Sequence, residues 1–379
     1  MILKQLGLLV FFLISQSKAE CNNSLDCSLN GDCVQGVCAC DYAWIGAACN
    51  KMDILPMNKN SGYHNHTAGA SWGGIPIYVD GKWHLFVSQM VNNCSLDYYG
   101  TNSEIIRAES DSPGGPFVYA ETAVPVFAHN PTVCITNDGT FLLYMIGNGV
   151  SLEEPVNCSK NANRKKIQTR LSPKKHRKRS VSGSSDIHIA YSSSVYGPWN
   201  ILSVSFTNPY ASTIFDCAWT NPSPVVFEND SVLMAFTAGY CHGGVEAIGI
   251  AEAPHWKGPY VIKTLEPIFP KPSFCLSEQQ YEDPFLWQSS RGFHILLHGM
   301  CPTGVFNSKY AYSLDGIRWT VSPIDPYIYI VLYEDGSEGV FVRCERPQLL
   351  FNHEGQAIYL FTGVKPLLGH EYTIARPLV

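Results

Sequence analysis

"EDPFLWQSSRGFHILLHGM", residues 282–300, strings together an acidic pair, a proline, a β-forming run, a turn containing Ser, Arg and Gly, and a second apolar run. Two such runs across a turn read as a hairpin. The same pattern returns in "WGGIPIYVDGKWHLFVSQM" from Trp72, "HNPTVCITNDGTFLLYMIG" from His129, "TNPSPVVFENDSVLMAFTAG" from Thr220 and "ERPQLLFNHEGQAIYLFTGV" from Glu345. The copies start roughly 60 residues apart, except across one longer interval that holds an insertion. A second motif follows four of the hairpins: "EIIRAESDSPGGPF", "DIHIAYSSSVYGPW", "EAIGIAEAPHWKGPY" and "KYAYSLDGIRW" are each a β run, a turn and a terminal aromatic. The final "EYTIARPLV" looks like the same third strand. No amphipathic helix of any length interrupts these runs after Asp53. The class is all-β, and units of about four strands repeated in phase predict a five-bladed β-propeller over residues 51–379. A β-sandwich or two stacked β domains also alternate strands and turns, but the joint recurrence of both motifs favours the propeller.

With 379 residues, 45% hydrophobic and 15% charged, the chain can bury a full core and is not a disordered protein. A formal charge of -6 gives no nucleic-acid footprint. Residues 1–19 read as a signal peptide: Lys4 is the positive start, "LGLLVFFLIS" the apolar core, and "SKA" before Glu20 the cleavage site. A membrane anchor is the rival reading, but the apolar run from Leu6 to Ser15 falls short of the roughly 20 residues that cross a bilayer. No later stretch is long and apolar enough for a membrane span. Fourteen cysteines and the sequons at Asn22, Asn65, Asn93, Asn157 and Asn229 fit the same secreted, extracellular destination, where each sequon is a candidate glycosylation site.

Residues 20–50 form a separate module, "CNNSLDCSLNGDCVQGVCACDYAWIGAAC", with cysteines at 21, 27, 33, 38, 40 and 49. So short a segment buries too little apolar surface to stay folded without cross-links. Its cysteine spacing, with the C-x-C at Cys38 and Cys40, the "NGDC" turn and the Gly before the last Cys, resembles an EGF-like domain. The spacing alone allows fifteen connectivities; the resemblance implies Cys21 with Cys33, Cys27 with Cys38, and Cys40 with Cys49. A zinc cluster is the competing reading of these cysteines, and a secreted chain disfavours it. The acidic cluster of calcium-binding members is missing, so no calcium site is expected.

Residues 159–185, between the second and third copies, are rich in Lys and Arg and poor in apolar residues, and predict a mobile surface insertion. "KKHRKR" before Ser180 reads as a processing site cleaved after Arg179, as a patch for an acidic polysaccharide such as heparan sulfate, or as a solvated loop with no partner. A secreted ligand processed there would need its two fragments to remain joined by disulfides. The other eight cysteines, at 94, 134, 158, 217, 241, 275, 301 and 344, are expected to pair within or between blades.

In a propeller the first strand of each blade lines the channel, so five sets of side chains converge at one mouth: Trp72 with Gly73 and Gly74, His129 with Asn130, Thr220 with Asn221, Glu282 with Asp283, and Glu345 with Arg346. An acidic residue before Pro, then apolar residues and "DGxφYLφφ", as in "YVDGKWHLFVS" and "TNDGTFLLYMIG", resembles the five-bladed glycoside hydrolases of families 43, 62, 32 and 68. The resemblance implies carboxylates contributed by different blades, one protonating the leaving oxygen while another activates water or attacks the sugar. Its first three positions fall on Gly74, Asn130 and either Thr220 or Asn221, none of which ionises near neutral pH. Asp283 remains as candidate base and Glu345 or Glu282 as candidate acid, with Asp216 an outlier; Trp72, His129, Asn130, Asn221 and Arg346 are candidate sugar-binding residues.

An acid before Pro at a strand entrance often accepts backbone N–H bonds, and Glu345 beside Arg346 reads as an ion pair that holds the fifth blade. Trp72, Trp219 and Trp287 would stack on sugars or pack between blades. His64, His66, His242, His255 and His298 show no ligand spacing, so no metal site and no cofactor are expected. The expectation is a secreted protein that acts on or binds an extracellular glycan or oligosaccharide at the channel, as a hydrolase or, alternatively, as a non-catalytic lectin or adhesion protein with an EGF-like spacer.

Overall fold

Strands that carry apolar residues on both faces must be covered on both, and the computed structural model meets this by standing five sheets side by side around an axis. The structure describes residues 20–65, 68–150, 154–159, 187–209, 215, 219–239, 247–269, 281–299 and 308–379. Residues 1–19, read as a signal peptide, the basic insertion beyond Ser159 with Arg179, His66, Asp216, His242, Cys217, Cys241, Cys275 and Cys301 lie outside the described residues.

The inner strands are Ser71–Val79, Ala128–Ile135, Thr220–Val226, Tyr281–Gln288 and Arg343–Phe351, and each touches the next until the fifth meets the first. The ring is closed. From each inner strand the sheet continues outward, antiparallel and in sequence order; in the first blade it runs through Lys82–Met90, Ser103–Ser110 and Val118–Val124. The short strand Phe206–Thr207 joins the outer edge of the third blade in parallel. Gly-Pro pairs of the second motif, at Pro116, Pro198 and Pro259, all carry cis peptide bonds, so the repeat seen in sequence is repeated in backbone. The fifth blade has three strands of its own, and the stretch ahead of the first blade completes it: Ile54 bridges Leu378 and Tyr63 bridges Thr373, both antiparallel.

The module at the front is stapled by Cys21–Cys33, Cys27–Cys38 and Cys40–Cys49. It is not a detached spacer. Trp44 stacks on Trp287 of the fourth blade with ring centres 6.4 Å apart and leans on Tyr310 at 5.1 Å. Asn30 Nδ2 donates to the Tyr310 hydroxyl (2.8 Å), which donates to the Ser28 carbonyl (2.7 Å). Arg291 forks onto Asp32 and Asp41 at the rim of this contact.

In the propeller Cys94 is bonded to Cys158, but Cys134 and Cys344 are thiols. The expectation that all eight would pair is corrected there: both lie in inner strands, where burial pushes the Cys134 thiol up to about 12 and raises that of Cys344. Among the described residues no helix is long and apolar enough to cross a membrane.

Candidate functional site in the channel

Near the start of every inner strand the hairpin ladder slips, leaving two residues unpaired: Gly73–Gly74, Asn130–Pro131, Asn221–Pro222, Asp283–Pro284 and Arg346–Pro347. The first residue of each pair is left-handed, with φ of 65° at Gly73, 53° at Asn130, 49° at Asn221, 57° at Asp283 and 56° at Arg346. Such bulges re-aim a side chain. Here they aim four side chains at one another across the channel. Gly, Asn and Asp tolerate this conformation, whereas a long side chain such as Arg346 occupies it only when its surroundings hold it there. The register also corrects the sequence alignment of the first blade: the position equivalent to Asp283 is Gly73, not Gly74.

Arg346 is what the ring is built around. It is 1% exposed, and its Nη1 donates to Asp283 Oδ1 (3.2 Å) while Nη2 donates to the Asn130 carbonyl (2.8 Å) and Thr132 Oγ1 (3.3 Å). Asn130 Nδ2 donates to Asn221 Oδ1 (2.9 Å) and Asp283 Oδ1 (3.3 Å). A Cβ added to Gly73 would stand 2.5 Å from Arg346 Cγ. The aliphatic stem of Arg346 therefore fills the space that a first-blade side chain would need. Burial pushes the Arg346 guanidinium below its ordinary value, and Asp283 pulls the other way.

Glu345 points elsewhere, because successive residues of a strand face opposite sides. The expected pair with Arg346 is corrected: Glu345 accepts two bonds from Arg343, at 2.6 Å from Nε and 2.5 Å from Nη2, and its side chain is 1% exposed. Arg343 also lies over the Trp72 ring at 5.2 Å. Burial opposes its charge, but the bonds it donates to Glu345, with the attraction of that carboxylate, outweigh this and its guanidinium is raised.

Between the carboxylates stands His298, with Nδ1 3.6 Å from Asp283 Oδ2 and Nε2 3.7 Å from Glu345 Oε2. An imidazole thus occupies the ground between the two acids where a sugar and water would have to enter. Glu282, Asp283 and His298 each place one ligand atom within 4.8 Å of the others, a grouping that sequence reading missed when it counted His298 as dispersed. Counted from its turn, the hairpin puts His298 opposite Asp283, which already brings it to the acidic pair; the slipped ladder then moves its partner by one residue to Glu282. The Arg346 guanidinium already sits on Asp283 and opposes a cation at that cluster.

His129 lies beside the ring. Ser103 Oγ is 2.7 Å from its Nδ1, the exposed Tyr99 stacks on it at 5.2 Å, and burial with the charge of Arg346 drives it down to about 3. His294, under the module, is likewise held at about 3 by burial and by Arg291. Both imidazoles stay neutral in the folded chain. In unfolded chain each binds a proton once the pH drops below its ordinary 6.5, so stability should be flat above that value and fall as pH decreases from there toward 3. Denaturation midpoints from about pH 7 to pH 4 should show the slope, and His129→Gln with His294→Gln should flatten it.

The three candidate tryptophans are buried. Trp72 packs against the fifth blade at Gly363, Trp219 stacks on Phe206 and donates to the Phe215 carbonyl (2.8 Å), and Trp287 meets the module. Among the described residues an aromatic that does face outward at this mouth is Tyr99, 51% exposed, at the start of the short helix Tyr99–Asn102 between the second and third strands of the first blade, a segment that the repeat pattern says nothing about.

Solved structures with this architecture include a family 117 glycoside hydrolase from the marine bacterium Zobellia galactanivorans, at 14% identity over 85% of this chain and 88% of that one, TM-score 0.52. A thermostable family-43 glycoside hydrolase matches at 11% identity over 86% and 92%, TM-score 0.52. An endo-arabinase from Bacteroides thetaiotaomicron matches at 12% over 83% and 98%, TM-score 0.50. The fold is that of the glycoside hydrolase propellers. No protein-family model matches the chain, and no curated protein does. Set on a glycoside hydrolase propeller fold, this channel holds two guanidinium–carboxylate pairs and, at its first-blade position, a glycine under an arginine stem.

Proposed function

We propose that the chain is a secreted, glycan-binding propeller without hydrolytic turnover, in which Asp283 and Glu345 serve as structural ion-pair partners. The observation that carries this reading is the buried Asp283–Arg346 contact over Gly73. Both oxygens of Glu345 accept from Arg343, and Asp283 has Oδ1 on Arg346 and Asn130 and Oδ2 facing His298, so neither presents itself to a leaving oxygen or a water, and hydrolysis needs two carboxyl groups that do. Binding keeps what the mouth still offers: the outward ring of Tyr99 over His129, the half-buried Glu282, and Arg343 with its side chain 27% exposed. A flat aromatic face with a few polar groups suits a sugar. The glycan-directed part of this reading draws support from the hydrolase propellers that share the fold.

A glycan array probed with secreted protein, beside a panel of aryl glycosides, tests it. Binding without aryl release is expected, and Tyr99→Ala should weaken binding by up to roughly tenfold, the upper worth of one stacked aromatic contact. Release that disappears in both Asp283→Asn and Glu345→Gln would overturn the non-catalytic reading.

A further inference from the structure

The sequon at Asn229 sits on the turn that joins the first two strands of the third blade, in the run Phe227-Glu228-Asn229-Asp230-Ser231. Phe227 N–H donates to the Ser231 carbonyl (2.9 Å) and Asp230 N–H to the Phe227 carbonyl (2.9 Å), with Asp230 left-handed at φ 64°. This five-residue turn brings the residues two before and two after Asn229 side by side. Asn229 is exposed at its tip, where Oδ1 accepts from the Ser231 N–H (3.2 Å) and hydroxyl (2.7 Å); among the described residues Nδ2 makes no hydrogen bond. Asn65 differs: it is part-buried, and its Nδ2 donates to the Tyr63 hydroxyl (3.3 Å) and Gln89 Oε1 (3.2 Å).

Beside the Asn229 turn a cavity of about 470 Å³ opens between the third and fourth blades, lined among others by Phe227, Ser231, Leu233, Phe293, Lys263 and Asp315. Its apolar wall is the edge-on pair Phe227 and Phe293, 6.3 Å apart. Its polar side is the Lys263–Glu252 ion pair (2.9 Å) with Asp315. An apolar face opposite hydrogen-bonding groups is what a pyranose ring with its hydroxyls requires, and the volume lies within the range of about 300–1,000 Å³ of small-ligand sites.

We propose that an N-linked glycan on Asn229 folds back into this cavity, its first N-acetylglucosamine resting on Phe227, so that the glycan becomes part of the contact between the two blades. The inference rests on the secretion reading above. The modification joins Asn229 Nδ2 to the anomeric carbon of a polyprenyl-pyrophosphate-linked oligosaccharide. The bond from that carbon to the pyrophosphate oxygen breaks, and the amide gives up one proton as the polyprenyl pyrophosphate leaves.

Full-length protein secreted from eukaryotic cells, digested natively with peptide N-glycosidase and mapped by glycopeptide mass spectrometry, provides the test. The Asn229 glycan should be released several-fold more slowly than the glycan on the exposed Asn22, roughly the factor that one stacked aromatic contact supplies, and at the same rate after denaturation. Phe227→Leu retains an apolar wall and the sequon, so occupancy should persist while the protection is lost. A bare Asn229 in protein whose Asn22 is occupied overturns the proposal, and so does release at the Asn22 rate or protection unchanged by Phe227→Leu. Protein kept inside the cell with every sequon bare would instead overturn the secretion reading, and this inference with it.

Discussion

Arg346→Met should cost the folded chain about 3–5 kcal/mol, the usual penalty when one partner of a buried ion pair is removed and the other stays behind. Asp283 is 4% exposed, and among the described residues its nearest cationic partner is Arg346 Nη1 at 3.2 Å. Methionine keeps much of the stem that packs on Gly73, so the loss reports the polar groups left behind, the Asp283 carboxylate above all and then the Asn130 carbonyl and Thr132, and not a cavity. Adding Asp283→Asn should recover most of it, since a neutral amide can still accept and donate across the ring. Urea midpoints for the single and double variants measure both numbers. A single-variant loss below about 1 kcal/mol would show that the pair is not what holds the ring, and would reopen Asp283 as a reacting group.

Trp44→Ala should have an effect of similar size, about 3–5 kcal/mol for truncating a buried large aromatic, but felt in a different place. Trp44 is 7% exposed between Trp287 and Tyr310, and with it gone the module keeps three disulfides but loses its main apolar hold on the fourth blade. Calorimetry should then show a lowered transition, and limited proteolysis should separate residues 20–50 from the propeller. Arg291→Ala, whose bonds to Asp32 and Asp41 are at the surface, should move stability far less. Equal effects from the two variants would mean that charge, not stacking, docks the module.

Much of the architecture was legible because the repeat is short and in phase. Each hairpin announces its turn, and the outer Gly-Pro-aromatic motif marks where each of the first three units ends. What was not legible is how the units pair residues across the axis. Glu345 and Arg346 are neighbours in sequence, yet strand alternation sends one to Arg343 and the other to Asp283; counting by twos along the strand finds the first pair, but nothing within one blade finds the second. Hairpin register brings His298 to the Glu282–Asp283 pair, though only the slipped ladder says which of the two it faces, whereas Tyr99 lies in a short helix outside the repeat. The one-residue error at Gly74 has the same origin. Two glycines in a row give no hint which takes the place of Asp283, and only the slipped ladder decides it.

The five left-handed bulges have a consequence for how this channel could be rewritten. Because the backbone, not the side chain, sets the direction of each central residue, positions 73, 130, 221, 283 and 346 behave as equivalent sockets, open to Gly, Asn and Asp and to a longer side chain only where its neighbours hold it. A change of chemistry at the axis then needs no rebuilding of a blade, only a compatible neighbour: an acid at Gly73 requires Arg346 to retract, and a smaller residue at Arg346 requires something to answer Asp283. Design on this scaffold can therefore proceed by paired exchange at the axis, one socket chosen for function and its neighbour for charge.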